Sequence, residues 1–549
     1  MKIKNTPKSL AVLFLLLTPS TFLLALESGK RGTKRPRADL ETKQINQAVE
    51  QDTVAQIDKK RRLEAEVTPA QESKEEATSE IKESAQAKLE QFKKTLQTLK
   101  TRIIADHNLD IQGQLNILDQ NGRALPSILI PVIKRIIPED TLMLVKGDLH
   151  GDTLAISHFK DNLIKSGKMT QDGKITDPKL RVIFLGDYID RGKDSIQTLN
   201  LVTELKDKNP QQVYLLRGNH ESSEFIQDTD QADTFGSQLK KLVEQSGGNK
   251  KLLNKLLLEF GRICTYMPQV FFAGYKHQQK TNFVAFQHAG IPTKTCPLIA
   301  ADSPHQKQQA AGYTKLSETI KKLLEDETFI NDSEIIQVAL PCHTEIFVKE
   351  KKPLFHATSP FLWNDFLKSP KEKTRRATER GNDVNILAVG CKDTMQWLSD
   401  ISSESVAVKL IVRSHQQGDR LPFMHPRYLG IWPACSGKVL TLDFSPRVPK
   451  FFTGHYKLAQ AIKEKYAGKQ LLNLGFPDTW LSIIPVPEKN NFRTNPLNRL
   501  VPPEELPEPY QKLTAEELYP LSLFLNEEAQ QKKLTIKKPM NQNKGTKNS

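Results

Sequence analysis

The sequence predicts an α/β fold in which β-sheets are flanked by helices around a β-α-β-α-β core. Three observations predict it. From about residue 135, short apolar runs alternate with stretches of helical period, as strands alternate with crossover helices. Their order implies a largely parallel sheet with right-handed connections. Asp, Asn and His gather directly after the apolar runs, where open α/β sheets collect ligands.

The elements follow in order. Leu142–Val145, Val182–Leu185 and Val213–Leu216 read as strands, and Thr153–Ile164 and Ser195–Leu205 as the helices between them. Later strand-like runs are Phe283–Phe286, Val406–Val412 and Val439–Leu442. Upstream, Ile81, Ala85, Leu89, Phe92, Leu96, Leu99 and Ile103 recur at three- and four-residue steps. That spacing predicts an amphipathic helix over 81–110, packed across the following domain or a partner. It is too short to demand a coiled coil.

Composition bounds the rest. A chain of 549 residues exceeds one typical core. A net charge of +15 suits anionic partners such as phosphoproteins, nucleic acid or acidic lipid without choosing among them. Part of the excess is terminal, since six lysines and no acid follow Gln531.

The N-terminal 1–26 reads as an export signal: Lys2, Lys4 and Lys8 precede an apolar stretch from Leu10 to Leu26. The expected destination is secreted or periplasmic if it is cleaved, and membrane-anchored if it is retained. Pro19 and its hydroxyl neighbours Thr18, Ser20 and Thr21 favour cleavage. Residues 27–80 are polar and predicted to be disordered linker. Their basic clusters, Lys34–Arg37 and Lys59–Arg62, read as linker charge rather than a nucleic-acid patch.

Five cysteines without a C-x-x-C pair argue against a structural zinc site or a disulfide framework. Beyond a central domain over 111–450, the extension 451–549 holds a helical stretch, Tyr456–Leu472, and a proline-rich stretch, Pro485–Pro509. It is expected to strap across the domain or dock a partner.

The chemistry lies in five blocks. They are Gly147-Asp148-Leu149-His150-Gly151, Gly186-Asp187-Tyr188-Ile189-Asp190-Arg191-Gly192, Arg217-Gly218-Asn219-His220-Glu221, His288-Ala289-Gly290, and Arg413-Ser414-His415-Gln416. Each follows a strand-like run and delivers oxygen or imidazole donors suited to Mn, Fe or Zn. The glycines allow sharp turns and close approach of an anion.

Together the blocks, spanning about 135–447, resemble the phosphoprotein phosphatases within the calcineurin-like metallophosphoesterases. The resemblance implies a metallophosphoesterase sandwich with two divalent or trivalent metal ions as cofactors. Asp148 and His150 would hold one ion, Asp187 would bridge, and Asn219, His288 and His415 would complete the second. His220, oriented by Asp190, would be the general acid. Arg191, Asn219 and Arg380 would bind substrate phosphate, with Arg376 a competitor of Arg380.

Paired cations would activate a bridging water for in-line attack. The family implies a serine/threonine-type protein phosphatase with phosphoprotein substrates. Phosphotyrosine, a dinucleoside polyphosphate or another small phosphoester is the alternative substrate. A non-catalytic phosphoprotein- or nucleic-acid-binding module is the alternative of another class. Two departures stand out: Ala289 replaces a usual glycine, and an insertion occupies about 292–360.

Overall fold

The structure is a computed structural model that describes residues 80–107, 128–327, 331–338, 340, 344–349, 352–357, 359–367, 371–377, 386–416, 431–442 and 477–500. The expected export signal, linker, basic clusters, Tyr456–Leu472 and lysine-rich tail lie outside the described residues, as does Arg380. Among the described residues no helix is long and apolar enough to cross a membrane.

Helix α1, residues 80–107, comes first. It is followed by β1 (Ile128–Ile136), β2 (Leu142–Lys146), α2 (Thr153–Lys165), β3 (Leu180–Phe184), α3 (Ser195–Lys208) and β4 (Val213–Leu215). Then come α4 (Ser223–Ile226), α5 (Phe235–Gln245), α6 (Lys250–Thr265), β5 (Val270–His277), β6 (Lys280–Gln287) and α7 (Pro304–Glu325). The chain continues through β7 (Asn331–Val338), β8 (Thr344–Lys349), β9 (Lys352–Ala357), α8 (Pro360–Trp363), β10 (Asp365–Phe366), β11 (Arg375–Arg376) and β12 (Leu387–Val389). It ends with α9 (Cys391–Asp400), β13 (Val406–Arg413), β14 (Ile431–Ala434), β15 (Val439–Leu442), β16 (Pro477–Val486) and β17 (Asn491–Leu500).

Two sheets stack face to face. One has the order β17-β16-β2-β3-β4, the other β14-β15-β13-β6-β5-β1-β7. The alternation within each buried strand shows the layering. Met143, Val145, Ile183 and Tyr214 join Phe271, Val284, Phe286 and Val412 in the core between the sheets. Their neighbours Leu144, Val182, Phe184 and Val213 face outward onto α1, α2, α3, α5 and α6. The far face of the larger sheet is covered by α7 and α9 through Leu316, Ile320, Trp397 and Leu398. The result is helices, sheet, sheet, helices.

The β2-β3-β4 core is parallel, as its β-α-β-α-β order requires. The first three blocks end strands of this five-stranded sheet and the last two end β6 and β13 of the other, so the expected sandwich divides the blocks between its two sheets.

Helix α1 buries its apolar stripe against this same domain. Ala85, Leu89, Phe92, Leu96, Leu99 and Ile103 are buried, whereas Ile81 is 56% exposed. Polar ties accompany the stripe: Thr95 Oγ1 meets Asn200 Oδ1 at 2.7 Å, and buried Lys206 reaches Asp106 at 2.8 Å.

Within the insertion, Gln306, Gln308 and Gln309 lie in the first turns of α7, whose Ser303 cap accepts the Gln306 N–H. Residues 477–486 form a strap: β16 pairs antiparallel with β2, Leu481 opposite Val145. Its Trp480 stacks on Phe159 at 3.9 Å.

The cysteine reading needs correction. Cys391 and Cys435 form a disulfide with Cα atoms 5.0 Å apart, Cys296 is also disulfide-bonded, and Cys264 is a buried free thiol. Tertiary topology brings Cys391 and Cys435 together across 44 residues, which no local spacing could announce.

Candidate active site

The first three blocks are wired to one another through backbone. Leu149 and His150 both donate N–H to the Asp187 carbonyl, at 3.0 and 2.8 Å, and Gly151 donates to Tyr188 at 2.9 Å. Ser414 donates to the His288 carbonyl at 2.9 Å, linking the last two blocks. His150, Asp187, Asp190, Arg191 and His415 all have positive φ, between 45° and 68°, a conformation costly for a residue with a Cβ. At two glycines there is no room for one. A Cβ on Gly218 would fall on the backbone nitrogen and Oδ1 of Asp187, and one on Gly192 would fall on the His150 carbonyl oxygen.

Five strand ends thus converge on two overlapping clusters of donor atoms. In one, His415 Nδ1 stands 2.8 Å from Asn219 Oδ1 and 3.1 Å from His288 Nε2, which is itself 3.0 Å from Asn219 Oδ1. Asp187 Oδ2 lies 3.5 Å from His288 Nε2. In the other, His150 Nε2 is 3.4 Å from Asp187 Oδ2 and 3.9 Å from Asp148 Oδ2. Asp187, His150 and His220 also come close enough to share an ion, as do Asp187, His288 and His415.

These side chains are all buried. Buried carboxylates and imidazoles need partners, yet Asp148 Oδ2 has no hydrogen-bond partner among the described residues. An orphaned carboxylate oxygen beside a ring of lone-pair atoms is what a cation would satisfy. The donor set, carboxylate, amide oxygen and imidazole, fits a divalent transition metal. Burial, reinforced by the Arg191 cation, pushes His150 down to about 3, so its ring is in the neutral form a metal requires. Burial and then the Asp148 charge push Asp187 well above the usual carboxylate range.

His220 and Asp190 sit beside the clusters. His220 Nδ1 is 2.6 Å from Asp190 Oδ2, and the other Asp190 oxygen accepts the Phe235 N–H at 2.7 Å. Burial pushes the Asp190 carboxyl up to about 7 against that opposing N–H. Arg191 is half-buried, with Nη1 3.0 Å from His150 Nε2. Arg376 is half-buried in β11. Ala289 fits without crowding the site: it is fully buried and donates its N–H to the Phe361 carbonyl at 2.7 Å.

Three features escaped sequence reasoning. Glu221 is fully buried and accepts N–H groups from Asp187, Tyr188 and Gly218 at 2.8, 2.9 and 2.8 Å. It thereby clamps the second block to the third. Arg413, also fully buried, reaches Asp365 Oδ1 at 3.3 Å and Gln416 Oε1 at 2.7 Å. The third is an aromatic wall: Phe225 stacks on His220 at 4.3 Å and on Trp363 at 5.8 Å. Glu221 could have been found from its place in the third block. The other two depend on pairings between distant segments.

Comparison with known proteins agrees with this architecture. Residues 142–327 match the model of the calcineurin-like phosphoesterase family. The serine/threonine-protein phosphatase PP2A-like PPG1 of Saccharomyces cerevisiae is 39% identical over 139 residues, which are 25% of this chain and 33% of that protein. The chain therefore spans about a third of the length of this relative.

Among solved structures, a Saccharomyces cerevisiae serine/threonine phosphatase with similarity to human phosphatase PP5 aligns at TM-score 0.39 and 15% identity, over 74% of this chain and 90% of that one. A cold-active protein-tyrosine phosphatase of a Shewanella species aligns at TM-score 0.29 and 14% identity, over 66% and 83%. By the family match and the sandwich that bears it, residues 142–327 belong to the calcineurin-like phosphoesterases.

Proposed function

We propose that the chain is a two-metal-dependent phosphoester hydrolase acting as a serine/threonine-type protein phosphatase on phosphoproteins. The observation that carries this reading is the convergence of Asp187 Oδ2 with His150, His288, Asn219 and His415, beside a His220–Asp190 pair at 2.6 Å. Asp148, His150 and Asp187 would hold one ion, and Asp187, Asn219, His288 and His415 the other. Mn, Fe or Zn would suit these donors. Bound there, the ions supply an activated water and neutralise phosphate charge.

The chain's own groups account for the remaining steps. Asp190 accepts a hydrogen bond from the Nδ1–H of His220, which fixes the ring and leaves Nε2–H to hand its proton to the departing alkoxide oxygen. An alkoxide is a poor leaving group, so this proton is most needed for phosphoserine and phosphothreonine. Arg191 on the rim would grip the phosphate oxygens with charge-assisted hydrogen bonds. Asn219, and Arg380 by resemblance, would share that load.

The similarity of part of the chain to a serine/threonine phosphatase supports the substrate class. We also propose export through the N-terminal segment, a reading that the Cys391–Cys435 disulfide supports because such bonds persist in oxidising compartments. Since α1 buries its apolar stripe in its own domain, a docking partner would use its polar face or the C-terminal extension.

The test is hydrolysis of phosphoserine, phosphothreonine and phosphotyrosine peptides by the purified chain with added Mn. Activity on the first two, abolished in Asp187→Asn, is expected. Undiminished turnover in that variant would sink the mechanism, and preference for phosphotyrosine would move the substrate class.

A further inference from the structure

We propose that the Cys391–Cys435 disulfide is a positioning device for the metal centre, setting the affinity of the cluster that contains His415. The proposal rests on the metal-centre reading above. It starts from where the two cysteines lie. Cys391 opens α9 two residues after β12 ends, with Gly390 between, and Cys435 follows β14 at the turn into β15. Their 44-residue separation encloses α9, β13 and His415.

Two hydrogen-bonded routes run from this cross-link and meet at the site. From Cys391, β12 pairs with β10, Ala388 opposite Asp365 and Val389 opposite Phe366. Asn364, just before β10, accepts the Leu387 N–H at 3.1 Å and donates to the Ile291 carbonyl at 2.8 Å, next to the His288-Ala289-Gly290 loop. From Cys435, β15 pairs with β13, Arg413 opposite Thr441, and β13 runs into Ser414 and His415.

The routes close on each other where Arg413 meets Asp365 at 3.3 Å and Gln416 exchanges hydrogen bonds with the Phe366 backbone at 3.1 and 3.0 Å. The disulfide and this polar clasp therefore pin the small β10-β12-β11 sheet to the large sheet at two separate points. His415 sits beside the clasp.

The turn at Cys435 needs fixing. Cys435, Ser436 and Gly437 are three consecutive residues with positive φ, 48°, 55° and 81°, in the hairpin turn that the Ala434–Val439 pair closes. A covalent tie to the start of α9 anchors that turn, and β15 with it, to the element that follows β12. Both sulfurs belong to buried residues, 8% and 4% exposed, so the bond is suited to lasting placement rather than rapid exchange. Breaking it takes a dithiol reductant, which is oxidised to its cyclic disulfide while two protein thiols form.

The experiment uses the full chain. Mn binding is titrated calorimetrically for wild type, Cys391→Ser/Cys435→Ser and, as a reference for the affected site, His415→Ala. The expected result is two Mn sites in wild type, with the site weakened by His415→Ala also weakened about 10-fold in the double serine variant and the other unchanged. If the serine variant does not fold, wild type and Cys296→Ser are each titrated with and without dithiothreitol, which separates the loss caused by opening Cys391–Cys435 from that caused by opening the disulfide at Cys296, with Cys264→Ser controlling for the free thiol. Unchanged affinity at both sites alongside a lowered melting temperature would overturn the proposal, as would equal weakening of both. Failure of wild type to bind Mn would instead remove the metal-centre reading beneath it.

Discussion

His220 Nδ1 and Asp190 Oδ2 meet at 2.6 Å, and the second Asp190 oxygen is held by the Phe235 N–H at the start of α5. The carboxylate is thus fixed at one oxygen by helix backbone and turns the other to the imidazole, so ring orientation is inherited from the helix. His220→Asn should lower kcat on a phosphoserine peptide by about 10²–10⁴-fold. The loss should be much smaller on p-nitrophenyl phosphate, whose leaving group needs no proton. Asp190→Asn should cost about 10–100-fold on the peptide. Steady-state kinetics on both substrates checks the pattern, and equal losses on the two would count against a general acid.

Glu221 offers a different handle, since it touches no candidate substrate position. Its carboxylate collects three backbone N–H groups from two metal-bearing loops. In Glu221→Gln an amide NH₂ would face one or more of those donors, at a cost of about 1–3 kcal/mol. We expect a lower melting temperature and less bound Mn per chain, measured by elemental analysis. Full metal content with normal stability would show that the clamp is dispensable.

His107 should impose a pH dependence on stability. It is buried against the Tyr266 carbonyl at 2.8 Å, and burial lowers its pKa to about 4. A depressed histidine folds neutral, so its contribution is complete above the unfolded value near 6.5 and is lost as pH falls from there through about 4. The span corresponds to roughly 3 kcal/mol. Thermal melts between pH 7.5 and 4 should show that decline, and His107→Gln should flatten it.

Trp480 tests the strap. It is 7% exposed, stacked on Phe159 and edge-on to Phe184 at 5.6 Å. Trp480→Ala should cost about 3–5 kcal/mol, read by chemical denaturation, with kcat at low temperature little changed. A loss of activity without a loss of stability would contradict a purely structural strap.

What could be read from the sequence follows physical range. The strands carrying the five blocks were legible because each is a short apolar run, and Asp148, Asp187 and Asn219 lie within a few residues of their ends. Helix α1 was legible through the spacing from Ala85 to Ile103. The split of the blocks between two sheets was not, because β-α-β order specifies neighbours within a sheet but not how a second sheet is laid on the first. Phe225 against Trp363 and Asp365 against Arg413 likewise exist only after the sheets are stacked. Cys391 and Cys435 each look unremarkable alone, and only the β12, β14 and β15 placements make them a pair.

The pairing of β16 with β2 has a consequence for the order of events during synthesis. Strand β2, which delivers Asp148, gains its outer neighbour only when Leu481 lies opposite Val145. On a ribosome, the chain through β16 must emerge before that edge is covered. Until then β2 presents unpaired N–H and C=O groups and the Phe159 face lacks its indole. Such a nascent chain stays open and dependent on chaperones to a late stage. It also stays threadable through a narrow channel for as long as β16 is missing.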